Sequence, residues 1–225
     1  MTVRTAHAQG AIFIDRCYLG AKRLLDLLII LLFMLPLSII ILIIAILIKW
    51  DSKGPVFFRQ RRVGLNGVEF NMFKFRSMYV NCDDSTHREA IKQYINGEVL
   101  NNGAASHNLY KLNDDPRITR VGRIIRKTSL DEIPQFWNVL RGEMTLVGPR
   151  PPLPYEVELY SSRDQLRLCG KPGLTGVWQV YGRSQVPFQS MVEMDIQYLQ
   201  QQSLWQDIKL IFLTIPIMIS GRGGI

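Results

Sequence analysis

The feature that most constrains the fold of this chain is an uncharged run of 22 residues, Leu27 to Ile48. A helix of about 20 apolar residues is long enough to cross the hydrocarbon core of a bilayer, which is about 30 Å thick. The run starts too late and is too long for a signal peptide, and no small-residue cleavage site follows it. A buried helix of a soluble protein is the alternative, but the absence of charge favours insertion into a membrane.

The apolar segment contains a helix breaker and is basic on both sides. Pro36 lies at the midpoint of Leu24–Ile48, and a proline removes a backbone hydrogen bond, so a bend is expected there. The positive-inside rule assigns each basic flank to the cytoplasmic side. The flanking residues are Arg16, Lys22 and Arg23 before the segment, and Lys49, Lys53, Arg59, Arg61 and Arg62 after it. Two interpretations stay open here: an ordinary kinked span, and a proline-broken helix that enters and leaves through one leaflet.

The whole chain, with 47% hydrophobic and 20% charged residues, has the composition of a folded protein. The pair Asn66-Gly67 predicts the turn of a small β-hairpin within 51–80. Helical patterning is expected near 84–95, from Ile118 to Gly142, and near 154–167, 188–201 and 204–219, with an extended loop at 171–182. Leu210–Ile219 is too short to span a membrane and indicates an interfacial or core helix. The expected fold class is α+β and mostly helical.

The formal net charge is +8, and part of it is concentrated at residues 117–127. Five basic residues and no acid occur there: Arg117, Arg120, Arg123, Arg126 and Lys127. One interpretation is a solvated face over a core helix. The other, which the membrane segment favours, is a helix lying on anionic headgroups and phosphate-bearing substrates. Nucleic acid also suits a basic patch, but no recognisable nucleic-acid-binding module is present, so no nucleic-acid partner is expected.

Two adjacent carboxylates, Asp131 and Glu132, follow this basic stretch. Ser129-x-x-Glu132 has the pattern of a helix capping box, which requires no further function. A helix N-terminus would also keep Asp131 ionised and offer N–H groups to a phosphate. An ionised aspartate beside magnesium and arginines can attack phosphorus and form an acyl phosphate. Paired carboxylates can also hold Mg²⁺ together with substrate phosphates. The local pattern permits an enzyme without selecting one.

A series of short motifs extends in order from about residue 22 to the C-terminus. They are Lys22-Arg23-x-x-Asp26, Gly54-Pro55-Val56-Phe57-Phe58, Gln60-x-Arg62-x-Gly64, Phe73-Lys74-Phe75-Arg76-Ser77-Met78, Asn113-Asp114-Asp115-Pro116-Arg117-Ile118-Thr119-x-x-Gly122, Thr128-Ser129-Leu130-Asp131-Glu132-x-Pro134-Gln135, Leu146-Val147-Gly148-Pro149-Arg150-Pro151, Pro172-Gly173-Leu174-Thr175-Gly176, Gln179-Val180-x-Gly182-Arg183 and Asp195-x-x-Tyr198. In this order the motifs resemble those of the monotopic phosphoglycosyl transferases, also called the bacterial sugar transferase family.

The resemblance implies transfer of a sugar phosphate from a nucleoside diphosphate sugar to undecaprenyl phosphate, with release of a nucleoside monophosphate. UDP-galactose or UDP-glucose, and hence UMP, is expected by family analogy. The resemblance makes Asp131 the nucleophile that carries a covalent phosphosugar, and Glu132 its assistant in proton handling or metal positioning. Magnesium is the implied cofactor, with these two carboxylates as its protein ligands. The implied substrate-binding residues are Lys74, Arg76, Arg126, Arg150, Arg183 and Asp195.

The resemblance also implies that the helix broken at Pro36 re-enters the leaflet it came from. Residues 1–50 would then be an N-terminal tail and re-entrant membrane helix, and residues 51–225 a cytoplasmic, membrane-associated catalytic domain with amphipathic interfacial helices. The expected location is the cytoplasmic face of the bacterial inner membrane, as a monotopic protein that begins exopolysaccharide synthesis. Membrane lipid is an expected partner, and a homo-oligomer and downstream glycosyltransferases are further candidates. The rival hypothesis is a non-catalytic scaffold that binds anionic lipid through residues 117–127.

Overall fold

The structure is a computed structural model that describes residues 3–4, 13–80, 85–96, 115–182 and 186–219. The α-helices are α1 (Arg16–Asp51), α2 (Ser85–Ile95), α3 (Arg120–Lys127), α4 (Phe136–Leu140), α5 (Pro154–Val157), α6 (Phe188–Gln201) and α7 (Leu204–Ile219). The strands are β1 (Val3–Arg4), β2 (Phe13–Ile14), β3 (Phe57–Val63), β4 (Glu69–Phe75), β5 (Thr145–Val147) and β6 (Gly173–Thr175). Strands β1 and β2, and β3 and β4, pair antiparallel, while β5 and β6 are parallel. The expected helical content and the hairpin are confirmed.

Two stretches differ from the sequence-based expectation. The helix expected over 154–167 is wrong: α5 ends at Val157, and a separate 3₁₀ helix covers Asp164–Cys169. Between them, Ser161 and Asp164 exchange hydrogen bonds through their own side chains and backbone N–H groups, which competes with a continuous helix. The loop expected at 171–182 contains β6 and a π-helical turn at Trp178–Gly182.

Helix α1 is a single helix of 36 residues, and its helical backbone continues through Pro36. Asp15 caps the N-terminus, where its carboxylate accepts a hydrogen bond from the backbone N–H of Cys17 at 3.0 Å. Within the described residues, this is the one helix that is long and apolar enough to cross a membrane by length and composition. The long apolar helix is therefore confirmed, and its re-entry stays a prediction.

Both ends of α1 pack into the core of the folded chain, whereas its middle is exposed. In the N-terminal half, Ile30 is buried in a core cluster that includes Val139 and Leu210. Near the C-terminal end, Ile44 and Ile48 are buried in a second cluster. Between them lie exposed apolar side chains: Leu31, Leu32, Phe33, Met34, Leu35, Ile39, Ile40, Leu42 and Ile43. These side chains are free to contact lipid, as are exposed apolar side chains nearer the two ends, such as Leu24, Leu28 and Leu47.

Buried polar contacts fix the N-terminal end of α1. Lys22 Nζ donates to Asp207 Oδ2 of α7 at 2.6 Å and to the hydroxyl of Tyr198 at 3.0 Å. Asp26 accepts hydrogen bonds from Thr145 Oγ1 at 2.6 Å and from the backbone N–H of Leu146 at 3.2 Å. All of these side chains are buried, so their polar groups depend on one another in the absence of water.

The C-terminal end of α1 is fixed in a similar way. The guanidinium of Arg76 donates to the carbonyls of Ser52 at 2.7 Å and of Lys53 at 2.9 Å, just beyond the helix end. Asp51, the last residue of α1, accepts a hydrogen bond from the backbone N–H of Val121 in the first turn of α3 at 3.0 Å. A carboxylate is favourable at that helix end because it satisfies a free N–H and complements the helix dipole.

Helix α3 packs so closely on the chain after β4 that only glycine fits at position 122. A Cβ at Gly122 would lie 2.0 Å from the carbonyl oxygen of Ser77. Gly20, in the first turns of α1, has nothing within 4 Å of its would-be Cβ. The two helical glycines thus differ in the space around them.

We expect Gly122→Ala to lower the free energy of unfolding by about 1–3 kcal/mol, because the overlap with Ser77 forces backbone shifts. The matched control Gly20→Ala should raise it by up to about 1 kcal/mol, since alanine is the better helix former. Thermal unfolding midpoints in detergent provide the measurement. Equal midpoints for the two variants would contradict the close packing of α3.

Candidate active site

The two adjacent carboxylates lie on a 3₁₀ helix, Leu130–Gln135, hereafter the Asp131 helix. The capping box expected at its start is not formed. Ser129 has a left-handed backbone, with φ of 56°, and its side chain makes no capping hydrogen bond. Glu132 instead binds a side chain from the hairpin, 58 residues away in sequence. The interpretation of Ser129-x-x-Glu132 as a capping box is therefore wrong.

A lysine from the hairpin and an arginine from the loop after β5 converge on Glu132. Lys74 Nζ lies 2.7 Å from Glu132 Oε1 and 3.9 Å from Asp131 Oδ2. Arg150 Nη1 lies 3.6 Å from the same oxygen of Glu132. The four side chains keep between 12% and 20% of their surface exposed, so they are shielded from water but can be reached by a ligand.

Two features determine where Lys74 lies: side chains alternate between the two faces of β4, and a buried amide side chain fixes the position of the strand. Neighbouring Phe75 is buried in the cluster under α1, so Lys74 emerges on the opposite face of the strand. Asn138 of α4 accepts a hydrogen bond from the backbone N–H of Phe73 at 3.0 Å and donates to the carbonyl of Asn71 at 2.7 Å. This fully buried amide ties the strand to the helix that follows the Asp131 helix.

The two carboxylates have opposite ionisation behaviour. Burial raises the pKa of Asp131, the negative charge of Glu132 raises it further, and the cations Lys74, Arg126 and Arg150 only partly oppose this. Burial also tends to raise the pKa of Glu132. The charges of Lys74 and Arg150 and the hydrogen bond from Lys74 outweigh burial and hold that pKa below the usual range. Burial thus raises the pKa of Asp131 to about 6, so the carboxylate is still mostly ionised at neutral pH.

Arg62 is a site residue that sequence reasoning missed. It is buried, and its positive charge is among those that lower the pKa of Glu132. Arg62 belongs both to the basic flank of the apolar segment and to the Gln60-x-Arg62-x-Gly64 motif, but it is not among the substrate-binding residues that the resemblance implies. That motif was the signal that could have found it, since Gln60 accepts two hydrogen bonds from its guanidinium.

The other predicted site residues lie in several places. Lys74, Arg126 and Arg150 act on the carboxylates through contact or charge. Arg76 is buried, and its hydrogen bonds go to the end of α1 rather than to Asp131 or Glu132. Asp195 is buried in an ion pair with Arg167 at 2.7 Å. Arg183 lies outside the described residues.

The carboxylate pair suits magnesium by the chemistry of its donors. Within the described part of the chain, no group donates a hydrogen bond to Asp131 or to the second oxygen of Glu132. No cluster of three or more His, Cys, Asp or Glu side chains occurs in the described residues. Mg²⁺ commonly binds through one or two carboxylates and completes its shell with water and substrate phosphates. Asp131 and Glu132 would hold the ion in that way.

Comparisons with known proteins identify the family of the chain. The sequence profile of the family described as bacterial sugar transferase matches residues 17–221. The chain is 42% identical over 213 residues to "Galactosyl transferase CpsE" of Streptococcus agalactiae serotype III, covering 94% of this chain and 45% of that protein. It is 41% identical over 208 residues to "Exopolysaccharide production protein ExoY" of Sinorhizobium fredii, covering 91% of this chain and 88% of that protein.

A third relative is "Undecaprenyl-phosphate galactose phosphotransferase" of Salmonella typhimurium, which is 41% identical over 194 residues. The match covers 83% of this chain and 40% of that protein. The chain thus spans less than half the length of two of these relatives, and most of the length of ExoY.

Replacing Lys74 with glutamine removes the cation that lowers the pKa of Asp131 most. We expect the pKa of Asp131 to rise by about one pH unit, because an opposite charge at this distance favours the ionised carboxylate. A pH titration of protein labelled with ¹³C at the aspartate Cγ measures this, with the signal assigned from Asp131→Asn. The matched control is Arg141→Gln, which removes an exposed cation paired with Glu143. An unchanged midpoint in Lys74→Gln would contradict the assigned electrostatics.

Proposed function

Because the chain belongs to the bacterial sugar transferase family, we propose that it transfers a sugar phosphate from a UDP-sugar to undecaprenyl phosphate. The observation that carries the proposal is the Asp131 carboxylate. It is nearly buried, it accepts no hydrogen bond within the described part of the chain, and cations lie beside it. A carboxylate with free lone pairs next to phosphate-binding groups is suited to attack phosphorus.

The first step forms a bond between an oxygen of Asp131 and the sugar-bearing phosphorus of the UDP-sugar. The bond from that phosphorus to the bridging oxygen breaks, and UMP leaves with the electron pair. The enzyme then carries the phosphosugar as an acyl phosphate on Asp131. Asp131 must be ionised to attack, and burial raises its pKa. The cations around it lower that pKa and so increase the ionised fraction that can react.

The second step returns the carboxylate. A phosphate oxygen of undecaprenyl phosphate attacks the same phosphorus, the bond to Asp131 breaks, and undecaprenyl diphosphate sugar leaves. Lys74 and Arg150 bind the phosphate oxygens in both steps, since both cations already converge on this place. Glu132, which stays ionised, holds Lys74 in position. Magnesium, when bound by Asp131 and Glu132, supplies further neutralisation of phosphate charge.

The docking of α1 supports re-entry of the membrane helix. The two ends of α1 are buried against the same folded part of the chain. If the helix crossed the bilayer, one of these ends would lie on the far side, and the charged domain packed on it would have to cross as well. Both ends on the cytoplasmic side avoid this, and the exposed apolar middle of α1 then enters one leaflet.

The two substrates then meet at the surface of the membrane. A UDP-sugar arrives from the cytoplasm and undecaprenyl phosphate from the inner leaflet, so the proposed location is the cytoplasmic face of the bacterial inner membrane. We further propose galactose or glucose as the sugar, and the first membrane step of exopolysaccharide synthesis as the role. Galactose and exopolysaccharide synthesis follow the relatives named for them, and glucose follows the family analogy given above.

We expect Asp131→Asn to abolish UMP release and the trapped phosphosugar, because an amide cannot attack phosphorus in this way. Membrane association should be unchanged, since α1 is untouched. UMP release is measured with undecaprenyl phosphate, magnesium and a panel of UDP-sugars, and the intermediate by mass spectrometry. The control Asp15→Asn keeps a capping residue at the exposed start of α1 and should retain full activity.

Full activity in Asp131→Asn would show that another group is the nucleophile. No UMP release by the unmodified protein with any UDP-sugar would favour the scaffold hypothesis instead. A scaffold would also tolerate changes at Glu132.

Re-entry predicts that residues at the two ends of α1 are both cytoplasmic. Two single-cysteine variants test this, one keeping the exposed Cys17 and one carrying Lys53→Cys, with the remaining cysteines changed to serine. Neither should react with a membrane-impermeant maleimide in intact spheroplasts, and both should react in inverted vesicles. Reaction of either cysteine in intact spheroplasts would contradict re-entry.

A further inference from the structure

We propose that Arg62 and Arg167 are positioning residues that hold the segment Arg150–Pro152 and so keep the Arg150 guanidinium beside Glu132. The inference rests on the proposed function, in which Arg150 binds substrate phosphate. Neither arginine contacts the two carboxylates within 4.0 Å, so each acts through the segment that it holds.

The segment is held by three consecutive carbonyl groups. Arg167 Nη2 donates to the carbonyl of Arg150 at 3.4 Å, and Arg62 Nη1 donates to that of Pro151 at 2.8 Å. The backbone N–H of Val63 donates to the carbonyl of Pro152 at 2.9 Å. Two of the three residues are prolines, which have no N–H group. Carbonyl acceptance is therefore the main way in which the backbone of this segment can be fixed.

The chain just before the segment is already rigid. The backbone N–H of Gly148 donates to Thr175 and that of Gly173 donates to Pro149, so the loop continues the pairing of β5 and β6. The approach is close enough that a Cβ on Gly173 would lie 2.1 Å from the nitrogen of Gly148. With the chain before the segment fixed in this way, and Pro152 held by the backbone N–H of Val63, the two arginines determine where Arg150 and Pro151 lie.

Arg167 has no free charge to contribute to the site. Its guanidinium is 3% exposed and binds Asp195 through Nε at 2.8 Å and Nη2 at 2.7 Å. Its Nη1 donates to the hydroxyl of Tyr160 at 2.7 Å. Because the carboxylate neutralises it, Arg167 acts through geometry rather than through its electric field. This also gives Asp195 a place in the site, behind Arg167 and away from the substrate.

Arg62 differs because the group that holds it is neutral. Its Nε and Nη2 both donate to the amide oxygen of Gln60, and no acid pairs with it in the described residues. Burial and the nearby charge of Arg150 lower the pKa of Arg62 to about 10, so it is still protonated at neutral pH. Arg62 therefore positions Pro151 and also adds positive charge where a diphosphate would bind.

A matched pair of double variants separates positioning from general stability. Arg167→Gln with Asp195→Asn removes the buried ion pair without leaving an unpaired charge. Arg163→Gln with Glu193→Gln removes an exposed ion pair that links the same two stretches of chain, α6 and the start of the 3₁₀ helix Asp164–Cys169. Only the first pair reaches the Arg150 carbonyl.

We expect the Arg167/Asp195 variant to lower kcat/KM for the UDP-sugar by about 10- to 100-fold, which is the order of loss for a misplaced binding group. The Arg163/Glu193 control should stay within about two-fold of the unmodified protein. In an Arg150→Ala background, the Arg167/Asp195 change should cost less than about three-fold, because the group that it positions is already gone. An equal loss with and without Arg150 would overturn the inference.

Arg62→Lys supplies the same test if the buried ion-pair variant does not fold. It keeps the charge but loses the guanidinium fork, and its loss of kcat/KM should likewise shrink in the Arg150→Ala background. The equilibrium affinity for UDP is measured for every variant as a second readout. If the unmodified protein releases no UMP, the proposed function fails, while the UDP affinities still decide whether Arg62 and Arg167 act through Arg150.

Discussion

The anchoring of α1 at both ends is the constraint on which the rest of the structure depends. At one end, Lys22 and Asp26 bind α7 and the start of β5. At the other end, Arg76 holds the chain just after the helix, and Asp51 accepts a hydrogen bond from the first turn of α3. Helix α3 leads directly into the Asp131 helix, so the membrane helix and the carboxylate pair are connected through one short helix.

The carboxylate pair shows how one environment gives neighbouring residues different roles. Glu132 takes the shorter contact with Lys74 and is held ionised, while Asp131 is left without a hydrogen bond and is harder to ionise. In the proposed mechanism, the nucleophile Asp131 needs lone pairs that accept no hydrogen bond, whereas Glu132 positions Lys74 by accepting one. Ser129, just before the helix, has a left-handed backbone conformation, which costs conformational free energy in a residue other than glycine. This turn is therefore shaped by the contacts of the site rather than by the local preference of the backbone.

The sequence was most informative where the deciding physics is local. The long apolar helix and the Asn66-Gly67 hairpin follow from composition and turn chemistry alone. It was least informative where a side chain finds its partner far along the chain. Glu132 fits a local capping pattern but binds Lys74, and nothing in the spacing indicates that Arg76 faces α1 while Arg62 lies near Glu132. The motif order identified the family, because an ordered set of motifs reflects the complete fold rather than one segment.

The burial of Ile44 and Ile48 has a consequence for handling the protein. These two residues of α1 fill the cluster that also contains Phe75, Ile125 and Ile133. Removing residues 1–50 would not simply release a water-soluble enzyme, since it would uncover the apolar faces of the hairpin, α3 and the Asp131 helix together. Such a patch promotes aggregation. Helix α1 is thus part of the hydrophobic core of the domain as well as its membrane-contacting segment. Biochemical work on this protein therefore calls for detergent or lipid rather than truncation.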